Sequence, residues 1–256
     1  MNLVSDNQLE HQLRLLKKNY KLIGIKSEFE AEGSSLGDIA RLRMITSSLN
    51  IKLYVKIGGV EALNDIYNCL DLQVDGIIAP MVETKFGLKK FLEIFDRLKL
   101  KKNPSLTINI ETKSGIDNIK DILKHASGKI NNVTIGRTDL SGSYFKKNIV
   151  PNSNFILDKI KLVSKMATKY KLKTTVGGSV NAETIRMYSK VKNISKLINK
   201  IETRKVMLPT NIFLKKKAAL KNALKFEEMY IMQKKEMIDL RLSSEIIRLS
   251  KLNTRK

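Results

Sequence analysis

The chain has no tryptophan, one cysteine, two histidines and only four prolines in 256 residues. A lone cysteine, Cys69, excludes an internal disulfide framework and any multi-cysteine metal site, and fits a reducing cytoplasm. The scarcity of histidine leaves His11 and His125, both on predicted helices, which reads them as surface residues and disfavours zinc. No uninterrupted apolar run approaches the roughly 18 residues of a membrane span. The first twenty residues, MNLVSDNQLEHQLRLLKKNY, show no basic-then-apolar export pattern. With 42% apolar residues the chain is expected to be soluble and folded, and its length suits one sizeable core.

Acidic residues are also few for the number of bases: 25 against 48, a formal net charge of +23. Such an excess suggests a polyanionic partner. The excess is nevertheless spread along the chain: residues 212–256 hold 12 basic and 5 acidic residues, and the first 211 still hold 36 basic against 20 acidic. With few aromatic residues for stacking, a compositional lysine bias explains the charge better than nucleic-acid binding does.

What the chain does contain is an alternation. Short β-branched runs, KLIGIKS (21–27), IKLYVKI (51–57), GIIAPMV (76–82), LTINIE (106–111), NVTIG (132–136) and KTTVG (173–177), precede amphipathic segments at about 36–49, 60–70, 86–100, 116–125, 154–170 and from an N-cap at Asn181. A last extended segment lies within LINKIETRKVML (197–208). Seven such alternations, with strands read as near-continuous apolar runs, predict a parallel sheet buried on both faces and closed into a (β/α)8 TIM-type barrel, with the eighth strand unplaced. The division is an N-terminal helix within 1–20 covering the barrel floor, a barrel over 21–211, and a helical extension over 212–256. That extension carries apolar residues at 220, 224, 231, 238, 242, 246 and 249, a helical stripe that suits its own barrel and a second subunit equally.

In a parallel barrel the chemistry sits at the carboxyl ends of the strands. The polar residues there are Glu28, Glu30, Glu32, Lys56, Glu83, Glu111, Arg137, Asp139, Glu202 and Arg204. Glu111 ends LTINIE and Asp139 stands in TIGRTDLSGS, so both can converge on one mouth. Two hard oxygen ligands with no His or Cys beside them suit Mg2+ or Mn2+. Gly58 and Gly59 would let a substrate approach backbone amides, and Arg137 is a candidate anchor for an anionic substrate. Cys69 faces Leu63, Ile66 and Leu70, as a small buried hydrophobe does.

Three stretches carry a family resemblance. INIETKSGIDNIKDI (108–122), VTIGRTDLSGS (133–143) and VDGIIAPMVET (74–84) resemble, in order, signatures of the HpcH/HpaI aldolase and citrate-lyase β-subunit superfamily, over about residues 21–208. The resemblance implies a metal-dependent barrel in which Glu111 and Asp139 bind the divalent cation and the cation holds a pyruvate-like substrate. The activity it implies is a cytoplasmic, oligomeric carbon–carbon lyase acting on a small anionic 2-oxo acid or a conjugate of one. A malyl-type thioester lyase or hydrolase, and a catalytically retired barrel with a binding or assembly role, are the alternatives. Lys56 stands where the pyruvate aldolases place an arginine, and Phe29 where they place a catalytic histidine. With that histidine missing, Glu30, Glu202 and Lys56 are the candidates for proton transfer.

Overall fold

The computed structural model describes residues 4–255. In chain order the elements are α1 (Asp6–Tyr20), β1 (Gly24–Glu28), α2 (Leu36–Ser48), β2 (Leu53–Lys56), α3 (Leu63–Asp71), β3 (Gly76–Ala79), α4 (Lys85–Leu98), β4 (Ser105–Ile110), α5 (Lys113–Asp117), α6 (Ile119–Ala126) and β5 (Asn132–Gly136). They continue with α7 (Arg137–Gly142), α8 (Asn154–Lys169), β6 (Lys173–Gly177), α9 (Ala182–Ser189), α10 (Ile194–Leu197), β7 (Lys200–Glu202), β8 (Val206–Pro209), α11 (Thr210–Lys215) and α12 (Ala219–Asn253). Helix starts follow local chemistry: Ser5, Ser35 and Asn181 form capping boxes, while Thr84, Thr112 and Ser153 accept a hydrogen bond from the amide three residues on.

The eight strands close into a barrel in sequential order. β1 to β7 are parallel, and β8 is the exception, antiparallel to both β7 and β1. The reason is chain length. Only Thr203, Arg204 and Lys205 separate β7 from β8, and a parallel return needs a crossover of a dozen or more residues. The last extended segment of the sequence is therefore a hairpin, which supplies the strand that periodicity left unplaced.

The strands are not apolar on both faces. Ile25, Leu53, Val55, Ile77, Ile108, Ile110, Val133, Ile135, Val176 and Ile201 point outward and join the main core beneath the helices. Inside the barrel the apolar part is a separate small plug of Tyr54, Ile78 and Met207, with Ile23 against it. The rest of the interior is polar: Lys26, Glu28, Thr107, Asn109, Glu111, Asn132, Thr134, Thr175 and Glu202 are all buried. This corrects the expectation of near-continuous apolar strands.

α1 is not a floor plug either. Its Lys17 donates to the carbonyls of Leu49 and Asn50 after α2, and its Gln12 donates to the Asn222 carbonyl of α12. It lies in the outer ring between those helices, burying Leu9, Leu13 and Leu16. The floor is closed by the Tyr54 ring, which fits because Gly24 and Gly76 flank it without side chains. A Cβ at residue 76 would run into the Tyr54 ring and lie 3.0 Å from the Ser105 carbonyl oxygen. Gly76→Ala is expected to cost about 1–3 kcal/mol by overpacking, measured by urea denaturation, with Gly59→Ala, where a Cβ meets nothing, as the neutral control.

Candidate active site

A cavity of about 240 Å³ opens at the carboxyl ends of the parallel strands. Its walls come from alternate residues of the strands, since side chains two apart share a face. β1 supplies Lys26 and Glu28, β2 Lys56, and β4 Asn109 with Glu111 just beyond it. Thr134 and Gly136 come from β5, and Asp139 comes from the first turn of α7. Gly177 ends β6, Glu202 ends β7, and Arg204 sits in the β7–β8 turn.

Four of these form a buried chain of alternating charge. Lys26 Nζ is 3.0 Å from Glu202 Oε1 and 2.9 Å from Glu28 Oε1, and Lys56 Nζ is 3.0 Å from Glu28 Oε2. Burial alone would push the Glu28 carboxyl up, but the ammonium groups of Lys26 and Lys56 outweigh it and hold the group at about 2. Lys26 is penalised by burial too, and the two carboxylates on either side of it more than compensate, raising its pKa. Lys26 is the residue that the sequence reading passed over. Its signal was present: Gly24, Lys26 and Glu28 alternate along β1, which marks them as one face.

Glu111 is held differently. Its Oε1 accepts from the Met81 amide at 3.0 Å and its Oε2 from the Asn109 side-chain amide at 3.1 Å, with no ion-pair partner among the described residues. The carboxylate lies across Gly136, where any Cβ would strike it. Burial raises its pKa, opposed by the positive charge of Lys56, and the negative charge of Asp139 raises it further. Asp139 lines the same cavity, is exposed to it, and has no ion-pair partner among the described residues. Two carboxylates that repel one another across a cavity, neither neutralised by a base, fit a divalent cation. No three His, Cys, Asp or Glu side chains gather as a metal-binding group among the described residues. The remaining coordination positions would therefore fall to water and ligand, as magnesium favours.

Glu202 completes the ring. Its chain passes over Gly177, where a Cβ would lie 2.8 Å from Glu202 Cγ. Lys26 occupies Oε1, while Oε2 is buried with no hydrogen-bond partner among the described residues, as is Oδ1 of Asn109, another residue of the cavity wall. Two orphaned acceptors in an enclosed space are unsatisfied unless a water or a ligand donates to them.

The structure thus brings Lys56, Glu111, Asp139 and Glu202 together. It does not bring Glu30, Gly58, Gly59 or Arg137 to them. Glu30, Gly58 and Gly59 line a separate recess on the rim with Glu61 and Asp65. The Gly58 amide is already donated to Asp65 Oδ2 at 2.7 Å, so it is not free for an anion. Arg137 is wholly buried and faces away from the cavity. Its guanidinium donates to the Gly177 and Gly178 carbonyls and, at 2.8 Å, to Asn152 Oδ1, and it lies 6.0 Å from the centre of the Tyr188 ring. Burial lowers its pKa. It ties the turn that carries Asp139 to the loop after β6 and does not anchor a substrate. Glu32 pairs with Lys205 outside the barrel. Cys69 is buried, and burial pushes its thiol up to about 12.

Comparison with known proteins follows the same architecture. The profile of the HpcH/HpaI aldolase/citrate lyase family matches residues 43–187. No curated protein matches the sequence significantly. Among solved structures, an HpcH/HpaI aldolase from Desulfitobacterium hafniense is similar at a TM-score of 0.61 and 13% identity, over 79% of this chain and 82% of its own. An HpcH/HpaI aldolase/citrate lyase family protein from Burkholderia cenocepacia gives 0.62 and 12%, over 89% and 92%. The CitE protein of Mycobacterium tuberculosis, solved with magnesium and acetoacetate, gives 0.52 and 10%, over 87% and 94%. At these identities the likeness is one of fold.

The ion chain carries two predictions. Glu28 contributes stability that is full above its usual pKa of 4.5 and is lost as pH falls through about 2. That is about 3 kcal/mol across the window, seen as a fall in the denaturation midpoint between those pH values. Lys26→Met leaves two buried carboxylates without their shared cation, and is expected to cost about 3–5 kcal/mol at pH 7. The loss should shrink at pH 4, where a carboxylate takes up a proton; an equal loss at both pH values would contradict the charge argument.

Proposed function

Because the chain belongs to the HpcH/HpaI aldolase/citrate lyase family, we propose that it is a divalent-metal-dependent carbon–carbon lyase acting on a small anionic 2-oxo acid or a conjugate of one. The observation that carries this reading is the pair Glu111 and Asp139, which face one cavity with no basic partner among the described residues. These two carboxylates would hold Mg2+ or Mn2+. When bound, the ion supplies positive charge beside the 2-oxo oxygen, where negative charge develops as the neighbouring C–C bond breaks.

The chain's own residues do the rest. Three basic and four acidic side chains line the cavity, so a divalent ion turns its net charge from minus one to plus one, which suits an anionic substrate. The Met81 and Asn109 amides fix the Glu111 carboxylate without neutralising it. Lys56, held by Glu28, is a fixed point charge, which is not the arrangement of a base. Glu202 is the group with a free oxygen: Oε2 can take or return a proton while Lys26 holds Oε1 in place. This assigns to Glu202 the proton transfer for which Glu30 stands too far out on the rim. The complex of CitE with magnesium and acetoacetate supports a small oxo acid as ligand class.

A second reading, a retired barrel that binds without turnover, is favoured by the Lys56–Glu28 pairing, which occupies the cation that a substrate carboxylate would use. One experiment separates the two. Exchange of pyruvate methyl protons with deuterated water, followed by NMR, is expected to depend on added Mg2+ or Mn2+. Glu111→Ala or Asp139→Ala should lower it at least about a hundredfold with the thermal melt unchanged. Glu202→Gln should lower exchange while leaving Mn2+ affinity intact. Absence of metal-dependent exchange, together with absence of metal-dependent cleavage across a panel of aldol adducts, supports the retired barrel.

A further inference from the structure

The basic excess is even along the chain but not around the molecule. In a parallel barrel each connection from a helix to the next strand lies at the floor, and each connection from a strand to the next helix lies at the mouth. The floor connections, with the residues that open β6 and β7, read KLI (21–23), LNIK (49–52), LQVD (72–75), KLKKNP (99–104), SGKIN (127–131), YKLK (170–173) and INK (198–200). KKA (216–218), between α11 and α12, joins them, because β8 runs down to the floor and Asn222 near the start of α12 bonds the Tyr20 hydroxyl there. Together they hold eleven lysines against one acid, Asp75, which is already paired with Arg43. The mouth connections FEAEGSS (29–35), IGGVEA (57–62), PMVET (80–84), ET (111–112), SYFKKNIVPNS (143–153), GSVN (178–181) and TRK (203–205) hold five acids and four bases. A lysine bias in composition alone would load both ends alike.

We propose that the floor face binds the phosphate backbone of a nucleic-acid duplex. Helix carbonyl ends also favour cations, but the last helical turns already supply Lys17, Lys18, Arg97, Lys124 and Lys169. None of the eleven floor lysines has an ion-pair partner among the described residues, and all are exposed except the half-buried Lys200. At the centre, Lys52, Lys173 and Lys200 continue the inward faces of β2, β6 and β7 below Tyr54, Thr175 and Glu202. Lys200 Nζ lies 5.7 Å from the centre of the Tyr54 ring. Burial lowers its pKa, Glu202 opposes that, and the charges of Lys173 and Lys52 lower it further, a repulsion that an anion beneath Tyr54 relieves. No large apolar side chain of the floor connections is exposed. The exposed ones lie at the mouth, as Met81 and Phe145 do, or on α12, where Ile231, Ile238 and Leu242 face away from the barrel side of Ala223, Phe226 and Tyr230. A protein interface needs such anchors at its centre, and stable attachment to a membrane needs them or a lipid chain beside the charge. A single strand needs exposed aromatic rings on which its bases stack. A duplex backbone needs only cations, and lysine without arginine neutralises phosphates without reading bases.

The proposal does not depend on the lyase reading. Its test is the fluorescence anisotropy of a labelled duplex of about 20 base pairs and mixed sequence, as DNA and as RNA, titrated with the full chain. With about six phosphates neutralised, affinity is expected to fall roughly a thousandfold between about 50 and 200 mM salt, and to be the same for a second, unrelated sequence. Lys101→Glu with Lys102→Glu, and separately Lys52→Glu with Lys173→Glu, should each weaken binding at least about tenfold and flatten the salt dependence. The first pair lies in an exposed connection, so its thermal melt should be unchanged. Lys146→Glu with Lys147→Glu, exposed at the mouth, alters the net charge equally and should leave affinity within about threefold. Binding of either duplex with this pattern supports the proposal, and the tighter of the two names the natural partner. Equal losses from floor and mouth pairs overturn it, as do salt-insensitive binding and no binding at the lower salt. Tighter binding of a single strand of the same length overturns it in favour of single strands, and flotation with anionic phospholipid vesicles without duplex binding does so in favour of a membrane.

Discussion

Lys26 stands between two carboxylates in the middle of a closed barrel, and the rest of the site is arranged around that contact. Burying an ammonium group costs several kcal/mol unless charge and hydrogen bonds compensate it. Here Glu28 and Glu202 do so from β1 and β7, strands that meet only through the narrow β8. The contact thus joins the two ends of the barrel from inside. It also fixes which oxygen of Glu202 is engaged and which is left buried without a hydrogen-bond partner among the described residues.

Two different electrostatic regimes share that cavity. On the β7–β1–β2 side the charges are neutralised in a chain ending at Lys56. On the β4–β5 side Glu111 and Asp139 have no ion-pair partner among the described residues, and burial, with the like charge of Asp139 added to it, keeps the Glu111 carboxyl above its usual range. Glycine makes both possible at two positions. At Gly136 and Gly177 the absent side chain is the space in which Glu111 and Glu202 lie. The glycine that ends each of these strands is therefore part of the site's shape, not a turn alone. Arg137 contributes from behind by holding the turn beneath Asp139 to the loop after β6.

Much of this was legible from the residues. The strand runs and intervening helices fall where periodicity puts them, and Glu111 and Asp139 stand at strand ends. What periodicity missed has a physical cause. A run such as LTINIE looks apolar as a whole, which masks the alternation of inward Thr107, Asn109 and Glu111 with outward Leu106, Ile108 and Ile110. The same masking hides Lys26. Arg137, a charged residue just after a strand, has the position of a ligand for anions, and only the carbonyls converging on it show that its donors are already used.

The sequence by itself determined the alternation of strand and helix, the helix caps, the two carboxylates of the mouth and the apolar stripe of the C-terminal helix. Each of these depends on neighbours within a few positions along the chain. The tertiary structure alone decided which charges pair, which oxygen of Glu202 stays free, that Arg137 turns into the wall, and that the apolar stripe of α12 faces away from its own barrel. Those outcomes depend on groups brought together from distant parts of the chain, where a single rotation about a strand or helix axis exchanges buried for exposed.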